Sequence, residues 1–351
     1  MGSVTLHHRW TPFFILLGIW IYVALRNPQP RESAAVQSAV EWEHRNDIHD
    51  HAEPPSTISD ATESSTTFSD SQAKPSSAPP DPPARLLITY SYAESKTSRE
   101  NLEYFIKHGL HNAADFIFVF NGPTNAIDFV PAEDNIRTIQ RDNSCFDLGS
   151  AGEVLRQDDL WRRYSRFIIM NASARGPILP YWSDACWSAM LQSKVTEKVK
   201  LVGLAAKCWP RFHVSSMIWA TDQVGLEILM DPTLGHTNSV SDVFGGPGDS
   251  VGLSSCYNTL EKALHAEVGA TVVIQESGYE VDVLMTSFHN HHDDKAYCDS
   301  LPYDTVDPLR GSGLHPFDTM FTRPGNGMDP AFAGTMESWT ADQNYSSYLR
   351  C

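Results

Sequence analysis

No stretch of the 351-residue sequence carries a cluster of basic residues, and the formal net charge is −17. Binding a polyphosphate backbone requires cationic partners, so nucleic acid is excluded as a principal partner. No Cys-x-x-Cys pair occurs among the six cysteines Cys145, Cys186, Cys208, Cys256, Cys298 and Cys351. A zinc site of ordinary spacing therefore has no support. No internal repeat is evident. Long uncharged runs are also missing, with the single exception of "WTPFFILLGIWIYVAL" at 10–25.

That run is close to the lower limit of about 17 residues for a membrane-spanning helix. Trp10, Trp20 and Tyr22 supply interfacial anchors. A cleaved signal peptide would show small residues directly after the apolar run. Here "RNPQPRES" follows, and the first small pair, Ser33 and Ala35, lies well downstream. Residues 1–26 are thus expected to form a short cytosolic tail and an uncleaved signal-anchor helix. Flanking charges nearly balance, so placing the rest of the chain in the lumen rests on the cysteines. Six of them, widely spaced, fit two or three disulfides in an oxidising compartment, with buried free thiols as the other reading; the spacing leaves the pairing open.

Residues 27–84 are rich in Pro, Ser, Thr and Asp and nearly devoid of large apolar side chains. Such a segment cannot bury enough surface to offset its ordering entropy, and a disordered, O-glycosylatable stem is expected. Order is expected from Arg85 to Cys351. "RLLITYSY" (85–92), "DFIFVFNG" (115–122), "NIRTIQRDN" (135–143) and "RFIIMN" (166–171) read as buried strands. Between them, 98–110 has helical spacing with Ser98 as cap, and 150–164 reads as a second helix. Further on, 199–208 and 280–289 read as strands, and 215–230 and 256–269 as helices. Alternating strands and helices predict an α/β fold, a mostly parallel twisted sheet with helices on both faces. In such sheets the ligand crevice lies beyond the carboxyl ends of the strands. Those ends carry Tyr90-Ser91-Tyr92, Asn121-Gly122, Asp142-Asn143 and Asn171-Ala172-Ser173.

Four clusters stand out. In "NSCFDLGSAGEVL" (143–155), Asp147 either caps a helix or faces a ligand at the helix N-terminus. "SFHNHHDD" (287–294), with His289, groups imidazoles and carboxylates that either bind a divalent metal or form a solvated loop, and His315 adds a further candidate. "GDSVG" (248–252) matches the Gly-x-Ser-x-Gly form of a hydrolase nucleophile elbow but lacks the preceding strand, so an esterase is disfavoured and a Gly-rich loop placing Asp249 near a crevice is preferred. Asn171-Ala172-Ser173 and Asn344-Tyr345-Ser346 are formal N-glycosylation acceptors. The first abuts a buried strand and is expected to be unmodified.

Taken in order, "FVFNG", "NSCFDLGSAGEVL", "FIIMNASARGPILPYW", "KVKLVGLAAKC", "HVSSMIWATDQVGLEIL", "YEVDVLMTSFH" and "LHPFDTMFTRPGNGMDP" resemble a family of eukaryotic, fungal or algal-type, glycosyltransferase-like proteins. That family is distantly similar to bacterial rhamnan synthesis F proteins. The resemblance covers roughly residues 85–340. It implies a GT-A type fold and transfer of a sugar from a nucleotide-sugar donor to a glycan or glycoconjugate acceptor. A competing expectation is a non-catalytic glycan-binding or accessory protein. Anchor, stem and lumenal domain independently match a single-pass type II membrane protein of the Golgi or endoplasmic reticulum. By the resemblance, Tyr90, Asn121 and Asp147 would face the donor, together with Asn171, Ser173, Arg175 and His213. GT-A enzymes usually carry an Asp-x-Asp at the strand end where this chain has Asn171 and Ser173, holding a divalent cation (Mn²⁺ or Mg²⁺) against the diphosphate. Without those carboxylates, either His289 or His315 holds the metal or a cation such as Arg175 replaces it. A general base on the acceptor hydroxyl would be sought among Asp249, Asp222 and Asp242, in that order.

Overall fold

The computed structural model describes residues 85–301, 314–324, 330–342 and 345–351. The anchor and stem expected over 1–84, and the acceptor pattern at Asn344, lie outside these residues. Among the described residues no helix is long and apolar enough to cross a membrane.

Strands β1 (Leu86–Ala93), β2 (Ala114–Asn121), β3 (Ile136–Arg141) and β4 (Arg166–Asn171) are joined by parallel pairing in the order β3-β2-β1-β4. β1, β2 and β4 are buried almost end to end, and this is why they read as continuous apolar runs rather than alternating ones. β5 (Val199–Gly203), β8 (Ile218–Asp222) and β9 (Glu280–Val283) extend the sheet to seven strands, β3-β2-β1-β4-β8-β5-β9. β8 alone runs antiparallel to both neighbours. β6 (Ala206–Lys207) and β7 (His213–Val214) form a separate small hairpin. Flanking helices include α1 (Lys96–His108), α2 (Phe146–Arg156), α3 (Trp187–Gln192), α4 (Gln223–Met230), α5 (Pro232–Thr237) and α6 (Leu260–Glu276).

Several expectations change. Residues 215–230 are not one helix: "IWATD" forms the buried strand β8, and the helix begins only after Asp222, whose side chain accepts from Gly225 N–H. A fully buried short strand running into an apolar helix carries no period that separates the two. The second helix starts at Phe146 rather than at 150 and ends at Arg156, giving way to a kinked 3₁₀ stretch with Asp158 and Asp159 at positive φ. Ser95, not Ser98, caps α1, its hydroxyl accepting the Ser98 N–H. The 199–208 run breaks after Gly203, and 280–289 is a strand only to Val283.

An aromatic cluster fills the space between the sheet and the chain beyond β4. Phe105 meets Trp187 edge-on at 5.8 Å, and Trp187 meets Phe321 at 5.3 Å. Each such side chain contributes on the order of 2–3 kcal/mol by burial. Trp187 also donates its indole N–H to Gly109 O at 2.9 Å, so the large ring is buried without an orphaned donor. Backbone bonds exchanged between Arg175 and Thr322 (2.8 and 2.9 Å) pin the 320–323 segment beside the chain leaving β4. The cysteines pair as Cys145–Cys256, Cys186–Cys351 and Cys208–Cys298. The first ties the start of α2 to the loop before α6. Along that contact Gly152 is required, because a Cβ there would lie 2.3 Å from Leu253 O.

Candidate functional site

The chain leaves β1 for β2 and β3 on one side and returns to β4 on the other, so the strand order reverses between β1 and β4. Open α/β sheets bind ligands at such a reversal, beyond the carboxyl ends of the strands. A crevice of about 360 Å³ lies there. Ser91 and Asn171 are register partners at the ends of β1 and β4, and the first turn of α2 closes over them. Ser91 Oγ donates to Asp147 O at 3.4 Å.

Asn171 is the hinge of the crevice floor. Its backbone N–H donates to Met217 O at 3.1 Å, and its side-chain NH₂ donates to Asp147 Oδ2. Its side-chain oxygen accepts from Ser173 N (3.0 Å) and Ser173 Oγ (2.6 Å). Turning the amide over would set two oxygens together at Asp147, so the NH₂ faces the acid. Asp147 is not the helix cap, a position held by Cys145; it sits in the first turn and lines the crevice. Burial pushes its carboxyl above the ordinary range and nearby Glu267 adds to this, while its own backbone N–H, Arg323 and Asn171 oppose.

The opposite wall comes from β6, β7 and α6. Glu267 Oε1 accepts from Ser216 N–H at 2.9 Å and lies 3.3 Å from Lys207 Nζ and 4.0 Å from His213 Nε2. Burial alone would raise its carboxyl; the Lys207 ammonium, the nearby His213 and the Ser216 N–H outweigh that and hold it well below the usual carboxylate range. His213 Nδ1 donates to Arg211 O at 2.8 Å, and burial depresses its basicity, with Glu267 and the Arg211 carbonyl opposing. Arg323 enters from the pinned 320–323 segment, and Trp209 and Phe244 meet edge-on at 5.3 Å to form an apolar end. The crevice thus joins an α2 N-terminus and two cations, Lys207 and Arg323, to an aromatic wall. Dipole and cations suit phosphate oxygens, and the rings suit a flat or apolar group.

Of the residues expected from sequence, Asp147, Asn171, Ser173 and His213 come together here. The others do not line the crevice. Tyr90 is fully buried in the core against Phe105 and Phe118. In a sheet covered on both sides, a residue near a strand's end still points into packing. Asn121 supports α2 and β3 through Ser150 Oγ (3.3 Å) and Arg141 Nη1 (3.1 Å). Arg175 turns toward Glu100, 3.6 Å away. Asp222 lies at the opposite end of the sheet, beside the start of β4, because β8 runs antiparallel; it pairs with Lys200. Asp249 accepts Gly246 N–H at 2.9 Å within a loop, and neither a strand nor a helix flanks "GDSVG". Asp242 is buried against His265.

The metal expectation does not fit the donor set. Glu267 is neutralised by Lys207, Asn171 turns its oxygen to Ser173, and Asp147 is the one remaining carboxylate. His289 Nε2 bonds Val283 O at 2.7 Å, and His315 accepts Phe317 N–H as a helix cap. Among the described residues, groups of three or more ligand-type side chains are His111 with Cys186 and Cys351, and Glu153 with Cys145 and Cys256; the sulfurs in both are disulfide-bonded. Sequence reasoning passed over Lys207, Glu267 and Arg323. Two of them did carry a signal, since Lys207 in "GLAAKC" and Glu267 in "LHAEVGATVVI" are charges set inside apolar runs. No protein-family model matches the chain, and no curated protein matches it.

Proposed function

We propose that the chain is a glycosyltransferase of GT-A type that binds a nucleotide-sugar donor in the crevice at the end of β4 and transfers the sugar to a glycan or glycoconjugate. The observation that carries this reading is the meeting of Asp147 and Asn171 with Lys207 and Arg323 at the strand-order reversal. In this reading Arg323 and the α2 N-terminus, with Lys207 shared between Glu267 and the ligand, offset the charge of the diphosphate in the place of a protein-held divalent ion. Asn171 and Ser173 orient Asp147 toward the sugar, and Trp209 with Phe244 borders the base or the sugar ring. The three disulfides support an oxidising compartment, in keeping with a lumenal domain behind a signal anchor.

A second reading, a non-catalytic glycan-binding or accessory protein, is favoured by one feature: an amide stands where GT-A enzymes usually place a carboxylate. Titration of the full chain with UDP- and GDP-sugars in EDTA, Mn²⁺ and Mg²⁺, with release of free sugar followed in parallel, separates the two. Binding with turnover supports the transferase. Nucleotide-sugar binding without release of sugar to water or to any acceptor supports the accessory reading, and absence of binding contradicts the first proposal.

A further inference from the structure

Between the chain leaving β4 and the helix Pro330–Asp342 lies a second depression, of about 310 Å³. Its floor is aliphatic: Leu179 and Met336 are buried. What it shows to solvent is rings. Tyr181 is 78% exposed, Trp182 72%, Trp339 55% and Phe317 45%. Among the described residues no charged side chain lines it. Single exposed apolar residues are ordinary, but several large rings gathered in one concave patch mark a binding surface. The nucleotide-sugar reading makes no use of them.

The rings stand on a fixed base. Tyr181 and Trp182 are the central residues of a turn closed by the Ser183 N–H, which donates to Pro180 O at 2.9 Å. Just before it, Ile178 N–H donates to Met320 O at 2.7 Å, beside the paired bonds of Arg175 and Thr322. Phe317 belongs to the short helix Pro316–Thr319, where the Asp318 carboxylate accepts Thr286 N–H at 3.0 Å. Beneath the helix, Phe321 packs on Trp187 in the core. A platform held in this way is ordered before any ligand arrives, which lowers the cost of binding.

The lining selects among ligand classes. With no charge in it, a phosphate, an acidic peptide and a basic peptide are all disfavoured. A lipid surface or an apolar helix would be met equally well by aliphatic side chains, yet here the aliphatic ones are the buried ones. A ring face carries partial negative charge and attracts polarised C–H groups, while indole N–H and phenol O–H at the ring edge meet hydroxyls. An uncharged sugar ring presents both, C–H groups on its faces and hydroxyls around its edge. The volume lies at the lower end of the range of about 300–1,000 Å³ typical of small-ligand sites and suits one or two such rings. Both walls also lead to the main crevice. Leu179 follows Ser173 by six residues and Phe317 precedes Arg323 by six, so each lies at most about 22 Å from its partner in the crevice.

We propose that this aromatic depression binds an uncharged stretch of glycan, its sugar rings stacked against Tyr181, Trp182, Phe317 and Trp339. Its role as a hold on the acceptor chain, away from the reacting end, rests on the glycosyltransferase reading. The binding of glycan does not.

The test is calorimetric titration of the full chain with uncharged tetrasaccharides of glucose, mannose, galactose and N-acetylglucosamine, comparing wild type, Trp182→Ala, Trp339→Ala, Trp339→Phe and Arg323→Ala. The wild type should bind at least one of them. Each tryptophan-to-alanine change should weaken that binding about three- to tenfold, as loss of one ring contact implies, and Trp339→Phe should keep most of it. Both tryptophans are exposed, so the variants should fold with an unchanged melting midpoint; where one does not, the other carries the comparison. Arg323→Ala, in the main crevice, should leave tetrasaccharide binding unchanged. Titration of the same proteins with UDP- and GDP-sugars keeps the two readings apart: tetrasaccharide binding without nucleotide-sugar binding removes the transferase and leaves this proposal standing. No binding of any tetrasaccharide, or binding indifferent to both alanine substitutions, overturns the proposal. So does binding to phosphatidylcholine vesicles, or self-association of the chain, that the alanine variants weaken in place of glycan binding, since the rings would then serve a membrane or a second copy.

Discussion

The side-chain NH₂ of Asn171 donates to the carboxylate of Asp147 where the end of β4 meets the first turn of α2. This contact sets the character of the crevice. A buried acid is held by an amide rather than by a metal or a cation, with a second buried acid, Glu267, near enough to raise its proton affinity. Burying the Asp147 carboxylate in this way does not favour the fold.

Replacing Asp147 by Asn should therefore stabilise the protein while weakening donor binding. The Asp147 carboxyl is raised above its ordinary 3.8 in the folded state, so the fold binds the proton more tightly than the unfolded chain does. This group's contribution to stability is fully present below pH 3.8 and is lost as pH rises through the folded pKa. At pH 7 the variant should melt at a higher temperature than the wild type, and the gain should vanish below pH 3.8. A lower midpoint at pH 7 would show the carboxylate to be net stabilising.

Asn171→Asp tests the same contact from the other side. Two carboxylates would then face each other in a buried setting, and the loss of stability should be about 1–3 kcal/mol. Two acids at this point can also hold a divalent ion, so Mn²⁺ or Mg²⁺ should raise the variant's melting midpoint and leave the wild type unchanged. A wild type that responds equally would place a metal site in the native crevice.

These tests turn on residues that were only partly readable in the chain. β4 was legible to its last residue because a buried parallel strand is an unbroken apolar run, and Asn171 ends it with a turn. β8 was not, since Ile218, Trp219 and Ala220 merge with the apolar helix that follows. Missing that strand also misplaced Asp222, which the antiparallel direction carries to the far end of the sheet. Lys207, Glu267 and Arg323 reach the crevice from segments far apart in sequence, brought there by sheet order, a hairpin and a two-residue bridge at Thr322. Local pattern cannot supply that information.

His111 makes stability depend on pH in a range relevant to acidic compartments. Burial lowers its basicity to about 4. The unfolded chain protonates it below 6.5, so its contribution is present above pH 6.5 and is lost as pH falls toward 4. The loss should be about 2–3 kcal/mol over that window. In His111→Phe, which keeps the ring contacts with Phe116 and Trp187, the fall in melting midpoint between pH 7 and pH 4.5 should shrink by several degrees. An unchanged fall would locate the acid sensitivity elsewhere.

The Cys145–Cys256 bridge closes a span of 111 residues and anchors the α2 N-terminus that faces the crevice. Converting both cysteines to Ser should cost about 2–5 kcal/mol and weaken nucleotide-sugar binding. A non-reduced peptide map of the wild type should show this pair together with Cys186–Cys351 and Cys208–Cys298; any other pairing contradicts the fold described here.

The central claim is that Lys207 and Arg323 meet the donor diphosphate without a protein-held metal. It is tested most directly by calorimetric titration of the full chain with UDP- and GDP-sugars in EDTA, repeated with Arg323→Ala. The account predicts binding of at least one donor that Mn²⁺ changes by less than about threefold, and a loss of about tenfold or more in the variant, as expected for removal of a charge-assisted contact. Binding that appears only with Mn²⁺ or Mg²⁺, or that is indifferent to Arg323→Ala, would contradict it.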